Sequence, residues 1–481
     1  MGNDLRLSSR DSEIGNQKPK TGRTHSTPIE NQTARSTALK ILDLLDRGHH
    51  TLDHEIERAF DQNRSFTRRD RAFIHALVYG VLRWRAHIDW IVNHFSKTRF
   101  DKIDPRVLNI LRLGLFQILF LDKIPTSAAV DTSVQLTKSF AAPWVAGFVN
   151  AVLRKSATQY ERIDFPDPQK QPVLALAVKK SFPEWLIHRW LNRFGSKETI
   201  TLCDAINKIP PITIRTNTLR STRAQLIQYL QHQAHEILPT SYAPEGITLV
   251  GPSVPIQELD AFVKGWFQVQ DEASQMVTSL LGPHPGETVL DACAGLGGKT
   301  GHMTQLMQNR GCIVAMDRDG AKLIKLSQEM QRLGSLIVQT RIHDLNYALS
   351  PDLIDFFDRI LLDAPCSGLG VLRRNPDIKW NRKEANLYAY QKNQITFLDS
   401  LTDSVKPGGV VVFAVCSMEP EETDHVVTEF LKRHSNFRMD RGAADFPPQT
   451  NPVIDEKGCL RTYPHLNNTD GFFAVSLKRT Y

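Results

Sequence analysis

Cysteine is scarce in this sequence and never paired at close spacing: six residues are spread over 481, with no CxxC. Cys203, Cys293, Cys312, Cys366, Cys416 and Cys459 therefore suit neither a zinc site nor a disulfide framework, and no metal is expected. Free thiols in so long a chain point to a reducing compartment. The opening MGNDLRLSSRDSEIGNQ lacks an apolar h-region, which argues against a secretory signal. Long apolar runs are missing too. The longest, Val107 to Leu121, is broken by Asn109, Arg112 and Gln117 and reads as a core helix rather than a bilayer span. No internal repeat is visible, nor any low-complexity stretch beyond the first 33 residues. A cytoplasmic protein with no membrane partner is the expectation.

What is present fits a globular, multidomain chain. Hydrophobic residues make up 41% and charged residues 23% of the 481 positions, enough for two to four cores. The formal charge of +7 and the pI near 9.0 suit an anionic partner and a merely basic surface equally well. Residues 1–33 are polar and have little to bury, so a disordered tail is expected there. From 34 to 157 apolar residues recur at helical spacing, as in Ala38, Ile41, Leu42 and Leu45, with no strand signal between them. Residues 158–282 mix the two periods. Helices are expected over Pro183–Leu202 and Arg220–Ala234, and strands at Pro211–Leu219, Gly246–Val250 and Gly265–Val269, giving a small α+β module. From 283 to 481 strands and helices alternate, which predicts an α/β doubly wound sheet with ligands at the carboxyl ends of its strands.

The first of those strands ends in DACAGLGGKT, Asp291 to Thr300. Gly295, Gly297 and Gly298 allow a sharp turn into a helix and a close ligand approach. Asp317, ending the next strand, is placed to accept hydrogen bonds from ribose hydroxyls. Such a loop serves a nicotinamide dinucleotide or S-adenosylmethionine. The third glycine of G-x-G-x-x-G falls at Thr300, and Lys299 stands where a pyrophosphate needs a glycine-lined approach, so the dinucleotide reading is the weaker. A turn that only connects strand to helix is the bland alternative. Acidic residues at four successive strand ends (Asp291, Asp317, Asp344 and Asp363) argue for a ligand, because unused carboxylates gathered in a cleft repel one another. A cationic sulfonium carrying an amino group and a ribose would use them.

Strand four leads into LLDAPCSGLGVLRRNPDIKW and strand five into FAVCSMEPEE, which places Cys366 and Cys416 on adjacent loops above one cleft. A lone cysteine is usually a small buried hydrophobe, and Cys203, Cys293, Cys312 and Cys459 read that way. Cys416 has a chemical reason to be a thiol. Carbon 5 of cytosine is too weak a nucleophile to take a methyl group unaided. A thiolate adding at carbon 6 converts the ring to an enamine-like nucleophile and leaves again afterwards. Asp363 would draw electrons from the ring through its nitrogens.

These segments, with AMDRD, GWFQVQDEASQ and the terminal DGFFAVSL, resemble the Nol/Nop/Sun family of RNA cytosine-C5 methyltransferases. The resemblance implies that Cys416 is the nucleophile, that Cys366 assists product release, and that S-adenosylmethionine is held by Cys293, Ala294, Gly295, Leu296, Gly297, Gly298, Lys299, Asp317, Asp344 and Asp363. The family's loop usually reads A-A-P-G-G-K. Gly295 and Leu296 depart from it, which is expected to loosen the turn. The helical region is similar to the antitermination factor NusB through RDRAFIHALVYGVLRWR, RLGLFQILFLDKIPTSAAVDTSVQL and GFVNAVLRK. This fusion resembles the bacterial Sun-type (RsmB) methyltransferases of 16S ribosomal RNA, which implies an RNA partner and a monomeric enzyme. Arg69, Arg71, Arg83 and Arg85 are candidate phosphate contacts or a solvated helix face, while Trp84 and Trp90 suit packing. Arg373, Arg374, Lys379 and Trp380 are candidates for gripping nucleotides beside the target. Three rivals stand beside this reading. One is a tRNA substrate. Another is a DNA cytosine-C5 methyltransferase, for which Cys366 would be essential and Cys416 dispensable. The third is a non-catalytic RNA-binding assembly factor, which would need none of Cys416, Asp363 and the cofactor loop.

Overall fold

The computed structural model of the chain describes residues 33–48, 51–440 and 446–480. The expected tail, Thr33 apart, lies outside the described residues. Six helices make the first body: α1 (Ala34–Asp46), α2 (Leu52–Gln62), α3 (Arg68–Phe95), α4 (Pro105–Phe120), α5 (Thr126–Lys138) and α6 (Pro143–Gln159). Local chemistry starts them. Thr33 and Thr67 form reciprocal capping boxes with Ser36 and Asp70, and prolines open α4 and α6. Their apolar faces share one core that includes Ile41, Ile74, Leu77, Ile91, Ile110 and Leu111. The polar residues of α4 are paired within it. Arg112 binds Asp89 at 2.7 Å, and Asn109 donates to Asp43 and Asp46 at 2.9 and 3.0 Å. Among the described residues no helix is long and apolar enough to cross a membrane.

α7 (Pro172–Lys180) and α8 (Glu184–Asn207), kinked at Gly195, lead into an antiparallel sheet of order β2–β3–β1–β4. Its strands are β1 (Ile212–Thr216), β2 (Ala234–Pro239), β3 (Gly246–Pro252) and β4 (Phe267–Val269), with α9 (Arg223–Leu230) and α10 (Asp260–Val263) alongside. The α+β expectation holds, although β2 goes unseen in the sequence. It is an edge strand with no buried residue, so no alternation marks it.

The chain then forms α11 (Glu272–Leu281), β5 (Thr288–Asp291), α12 (Gly298–Leu306), β6 (Cys312–Asp317), α13 (Gly320–Leu333), β7 (Val338–Ile342) and β8 (Phe357–Asp363). After these come α14 (Ile378–Asn381), α15 (Ala385–Leu401), β9 (Val405–Val415), α16 (Asp424–Arg433), β10 (Phe437–Met439), β11 (Leu460–Thr462), α17 (Pro464–Asn467) and β12 (Phe472–Arg479). The main sheet runs β10–β12–β9–β8–β5–β6–β7, with β11 also paired to β12. From β9 to β7 the strands are parallel, as the alternation predicts, whereas β10, β11 and β12 form an antiparallel edge. Helix α11 buries Ala273, Met276, Val277 and Leu281 against Val289, Val412 and Ala474. By packing, the C-terminal body therefore begins ahead of α11 rather than at residue 283.

Candidate active site

The order of strands reverses beside β5, so a ligand crevice is expected above the carboxyl ends of β5, β6, β8 and β9. The loop from Ala292 to Gly297 fills one side. Its turn depends on two left-handed residues, Gly295 at φ +56° and Gly297 at φ +85°. A Cβ on Gly297 would meet Leu326 at 2.8 Å, while positions 295 and 298 face open space. Those two positions form a cradle that any side chain would narrow. The Gly295 N–H donates to Asp317 Oδ2 at 3.0 Å, and the Asp319 N–H donates to Asp317 Oδ1 at 2.9 Å. The expected loosening at Gly295 is thus opposed by a bond that ties the turn to the end of β6. Leu296 projects outward from the loop, and Ala294 is buried against Leu326 and Met330.

The four strand-end carboxylates divide into different roles. Asp291 is buried and accepts from the Thr300 hydroxyl at 2.7 Å. Burial, more than anything else, pushes its carboxyl up to about 7. It braces the start of α12 instead of facing a ligand. Asp317, Asp344 and Asp363 are each partly accessible. Asp344 accepts from the backbone and side chain of Asn346 at 3.0 and 2.8 Å, which holds its carboxyl below the ordinary range. Asp363 Oδ2 accepts from Lys299 Nζ at 2.5 Å. Burial, reinforced by the neighbouring carboxylates of Asp363, Asp291 and Asp317, pushes the Cys293 thiol well up, which makes it a poor nucleophile.

Cys366 follows β8 by three residues and Cys416 follows β9 directly, and these strands are parallel neighbours. Their sulfurs lie 3.1 Å apart. The hydrogen bond to Cys416, and then burial, push the Cys366 thiol well up. Backbone bonds close the pocket. Gly370 N–H donates to the Cys416 carbonyl at 2.9 Å, and Gly471 N–H donates to the Gly370 carbonyl at 2.8 Å. The terminal DGFF segment therefore packs under the cysteine loops.

The structure corrects the expected RNA grip beside this loop. Arg373 is buried, with Nε on Asp470 at 2.5 Å and Nη2 on Asp271 at 3.2 Å. Arg374 binds the same two carboxylates at 2.7 Å each. Lys379 is fully buried, donating to Asn207 Oδ1 at 2.7 Å, Ser181 O at 3.2 Å and Arg83 O at 3.3 Å, and burial lowers its ammonium well below the usual range. The Trp380 indole donates to Leu82 O at 2.7 Å. The Leu82 and Arg83 carbonyls lie where α3 breaks its helical geometry at Trp84, with φ −110° and ψ 17°. The RRNPDIKW segment is thus a wedge between the bodies. Arg83 and Arg85 are also occupied, Arg83 with Arg373 O at 2.8 Å and Arg85 with Asp46 at 2.9 Å. Arg69 is exposed and Arg71 half-buried over the Phe60 ring, so these two remain at the surface.

Two side chains that sequence reading passed over support the site. Arg215 of β1 is wholly buried and donates to Gly298 O at 2.9 Å and Gln268 Oε1 at 2.8 Å, bolting the small module to the start of α12. Its signal was a charge inside an alternating strand. Glu422 lies within VCSMEPEE but was given no task. Its carboxylate accepts from Ser367 and Ser417, the residues after the two cysteines.

Comparison with known proteins agrees with this layout. Residues 278–478 match the family described as 16S rRNA methyltransferase RsmB/F, 32–158 match the NusB family, and 182–257 match the ferredoxin-like domain of RsmF/B-like methyltransferases. A probable ribosomal RNA small subunit methyltransferase B of Synechocystis is 35% identical over 93% of this chain and 99% of its own. A like-named protein of Bacillus subtilis is 32% identical over 94% of this chain and 100% of its own. The crystal structure of PH0851 superposes with a TM-score of 0.78 at 27% identity, covering 93% of this chain and 98% of that one. With identity above 30% along almost the full length of these relatives, the chain belongs to the RsmB/F family of 16S rRNA methyltransferases.

Proposed function

We propose that this chain methylates carbon 5 of a cytosine in 16S ribosomal RNA, with Cys416 as the nucleophile. The observation that carries the reading is the 3.1 Å approach of Cys416 to Cys366 beside the Lys299–Asp363 pair. The open cradle at Gly295 and Gly298, flanked by Asp317 and Asp344, fits a cationic ligand bearing a ribose, and Cys293 to Lys299 would hold S-adenosylmethionine there. When bound, that group supplies an electrophilic methyl. The Cys416 thiolate adds to cytosine carbon 6, so the ring's electron pair becomes available at carbon 5. Asp363, held by Lys299, faces the ring nitrogens, through which it would draw electrons from the ring as the thiolate adds. After methylation the carbon 5 proton leaves to base, and its bonding pair re-forms the ring double bond as the Cys416 sulfur departs. The protonated Cys366 donates to that departing sulfur, which eases product release. The target must be flipped out of its stack to reach two half-buried thiols. Exposed Arg69 and half-buried Arg71 on the NusB-like body are the candidate phosphate contacts. Two facing thiols also suit a cytoplasmic enzyme.

The test is methyl transfer from labelled S-adenosylmethionine to unmodified 16S RNA by wild type, Cys416→Ala and Cys366→Ala. Label on cytosine carbon 5, absent with Cys416→Ala and accompanied by a trapped protein–RNA adduct with Cys366→Ala, is expected. An active Cys416→Ala would overturn the mechanism. Transfer to tRNA with none to 16S RNA would overturn the substrate.

A further inference from the structure

We infer that Glu422 is a positioning residue that locks the two cysteine loops together and sets the approach of their sulfurs. This rests on the proposed reading of Cys416 and Cys366. Glu422, Ser367, Ser417 and Gln394 have no exposed surface. Glu422 Oε1 accepts from the Ser367 N–H at 2.7 Å and from Gln394 Nε2 at 3.2 Å. Its Oε2 accepts from the Ser367 hydroxyl at 2.5 Å and the Ser417 hydroxyl at 2.6 Å. Gln394, on α15, also donates to Pro365 O at 3.1 Å, directly before Cys366. One carboxylate therefore binds the residue following each cysteine and, through Gln394, the residue preceding one of them.

Three features favour positioning over mere packing. All four hydrogen bonds to the carboxylate come from neutral groups, so no counter-charge explains the burial of an acid that is costly to bury. The bonds occupy both oxygens, which leaves Glu422 no capacity to bind substrate or pass a proton. A negative charge here also disfavours a thiolate and is among the causes that hold Cys366 protonated. That effect falls on Cys366, and what Glu422 supplies to Cys416 is geometric, through the Ser417 hydroxyl.

The experiment compares wild type, Glu422→Ala, Glu422→Gln and the Ser367→Ala/Ser417→Ala pair. The first readout is kcat and cofactor KM for methyl transfer. The second needs no RNA: the rate at which diamide links Cys366 to Cys416. In that reaction two thiols become a disulfide, and their two protons and two electrons pass to the diazene. Cys366→Ala is the control. A slack of about 1 Å at the reacting atoms costs on the order of 100-fold, so Glu422→Ala should lose about that much in kcat, with cofactor KM little changed, because its contacts are all on the cysteine side. The disulfide should form at least about tenfold more slowly. Glu422→Gln, whose amide still accepts from Ser367 N–H and donates to the hydroxyls, should recover most of both rates. If Glu422→Ala does not fold, the serine pair, which removes two of the bonds with little volume, carries the same readouts. Wild-type kcat and wild-type disulfide rate in a folded variant would overturn the positioning role. Rapid disulfide formation in a wild type that transfers no methyl would overturn the proposed function while leaving that role intact.

Discussion

Replacing Asp470 with Asn should cost the protein much of its stability, although Asp470 touches neither proposed substrate. Arg373 and Arg374 share Asp470 and Asp271 in one cluster, and the side chains of Arg373 and Asp470 are only 4% and 2% exposed. Asp271 also caps α11 through the Ala273 N–H at 2.9 Å and accepts from the Asp470 N–H at 3.2 Å. The substitution leaves two guanidiniums facing one carboxylate out of water, and breaking a buried pair from one side costs about 3–5 kcal/mol. For a body of about this size 1 kcal/mol moves the melting temperature by about 2–4 °C, so the expected fall is about 6–20 °C. Arg373→Met should fall similarly, and the double variant should lose less than the sum, because each change removes the same contact. Thermal unfolding of the four proteins measures this, together with RNA affinity against salt. Unchanged melting of Arg373→Met, with the salt slope of RNA binding reduced by about one, would refute the reasoning and return Arg373 to the RNA.

Gly297→Ala should weaken S-adenosylmethionine binding at least about tenfold and destabilise by about 1–3 kcal/mol, since it adds both left-handed strain and a clash with Leu326. Gly295→Ala, with open space around it, should cost only about 1–2 kcal/mol of strain in stability, while its Cβ narrows the proposed cradle and weakens cofactor binding. Equal losses of stability in the two variants would contradict the geometry. Asp291 gives a pH signature. Its folded carboxyl, raised to about 7, lies above an unfolded value of about 3.9, so the folded state holds the extra proton between them. Stability should therefore decline as pH rises from about 4 to 7. Asp291→Asn should match wild type near pH 4 and exceed it near pH 8 by up to about 4 kcal/mol. Urea unfolding at both pH values checks this, and an unchanged slope in the variant would refute it.

Local pattern made most of the fold legible. The helical spacing of Ala38, Ile41, Leu42 and Leu45 marks a real buried face, and the run from Val107 to Leu121 is the core helix expected. Strand ends at Asp291, Asp317 and Asp363 fall where the alternation places them. The misread charges share one physical cause. A charged side chain declares its sign in sequence but not its partner, and Lys379 and Arg373 find theirs up to 296 and 102 residues away. Arg373, Arg374 and Lys379 therefore looked like free cations next to a catalytic loop when each is committed to a fold contact. The edge strand β2 escaped because it has no buried face, and α11 joined the wrong body because amphipathic spacing shows that a helix has a partner without showing which.

The break in α3 at Trp84 has a consequence for how the protein is made. The carbonyls of Leu82 and Arg83 wait there for Trp380 and Lys379, and 298 residues separate Leu82 from Trp380. At a synthesis rate of about 5–20 residues per second, Leu82 is made roughly 15–60 s before Trp380. During that interval the Leu82 and Arg83 carbonyls lack these two donors. Because the RRNPDIKW segment that supplies those donors runs on from the Cys366 loop, docking of the helical body and placement of that loop are linked through one stretch of chain.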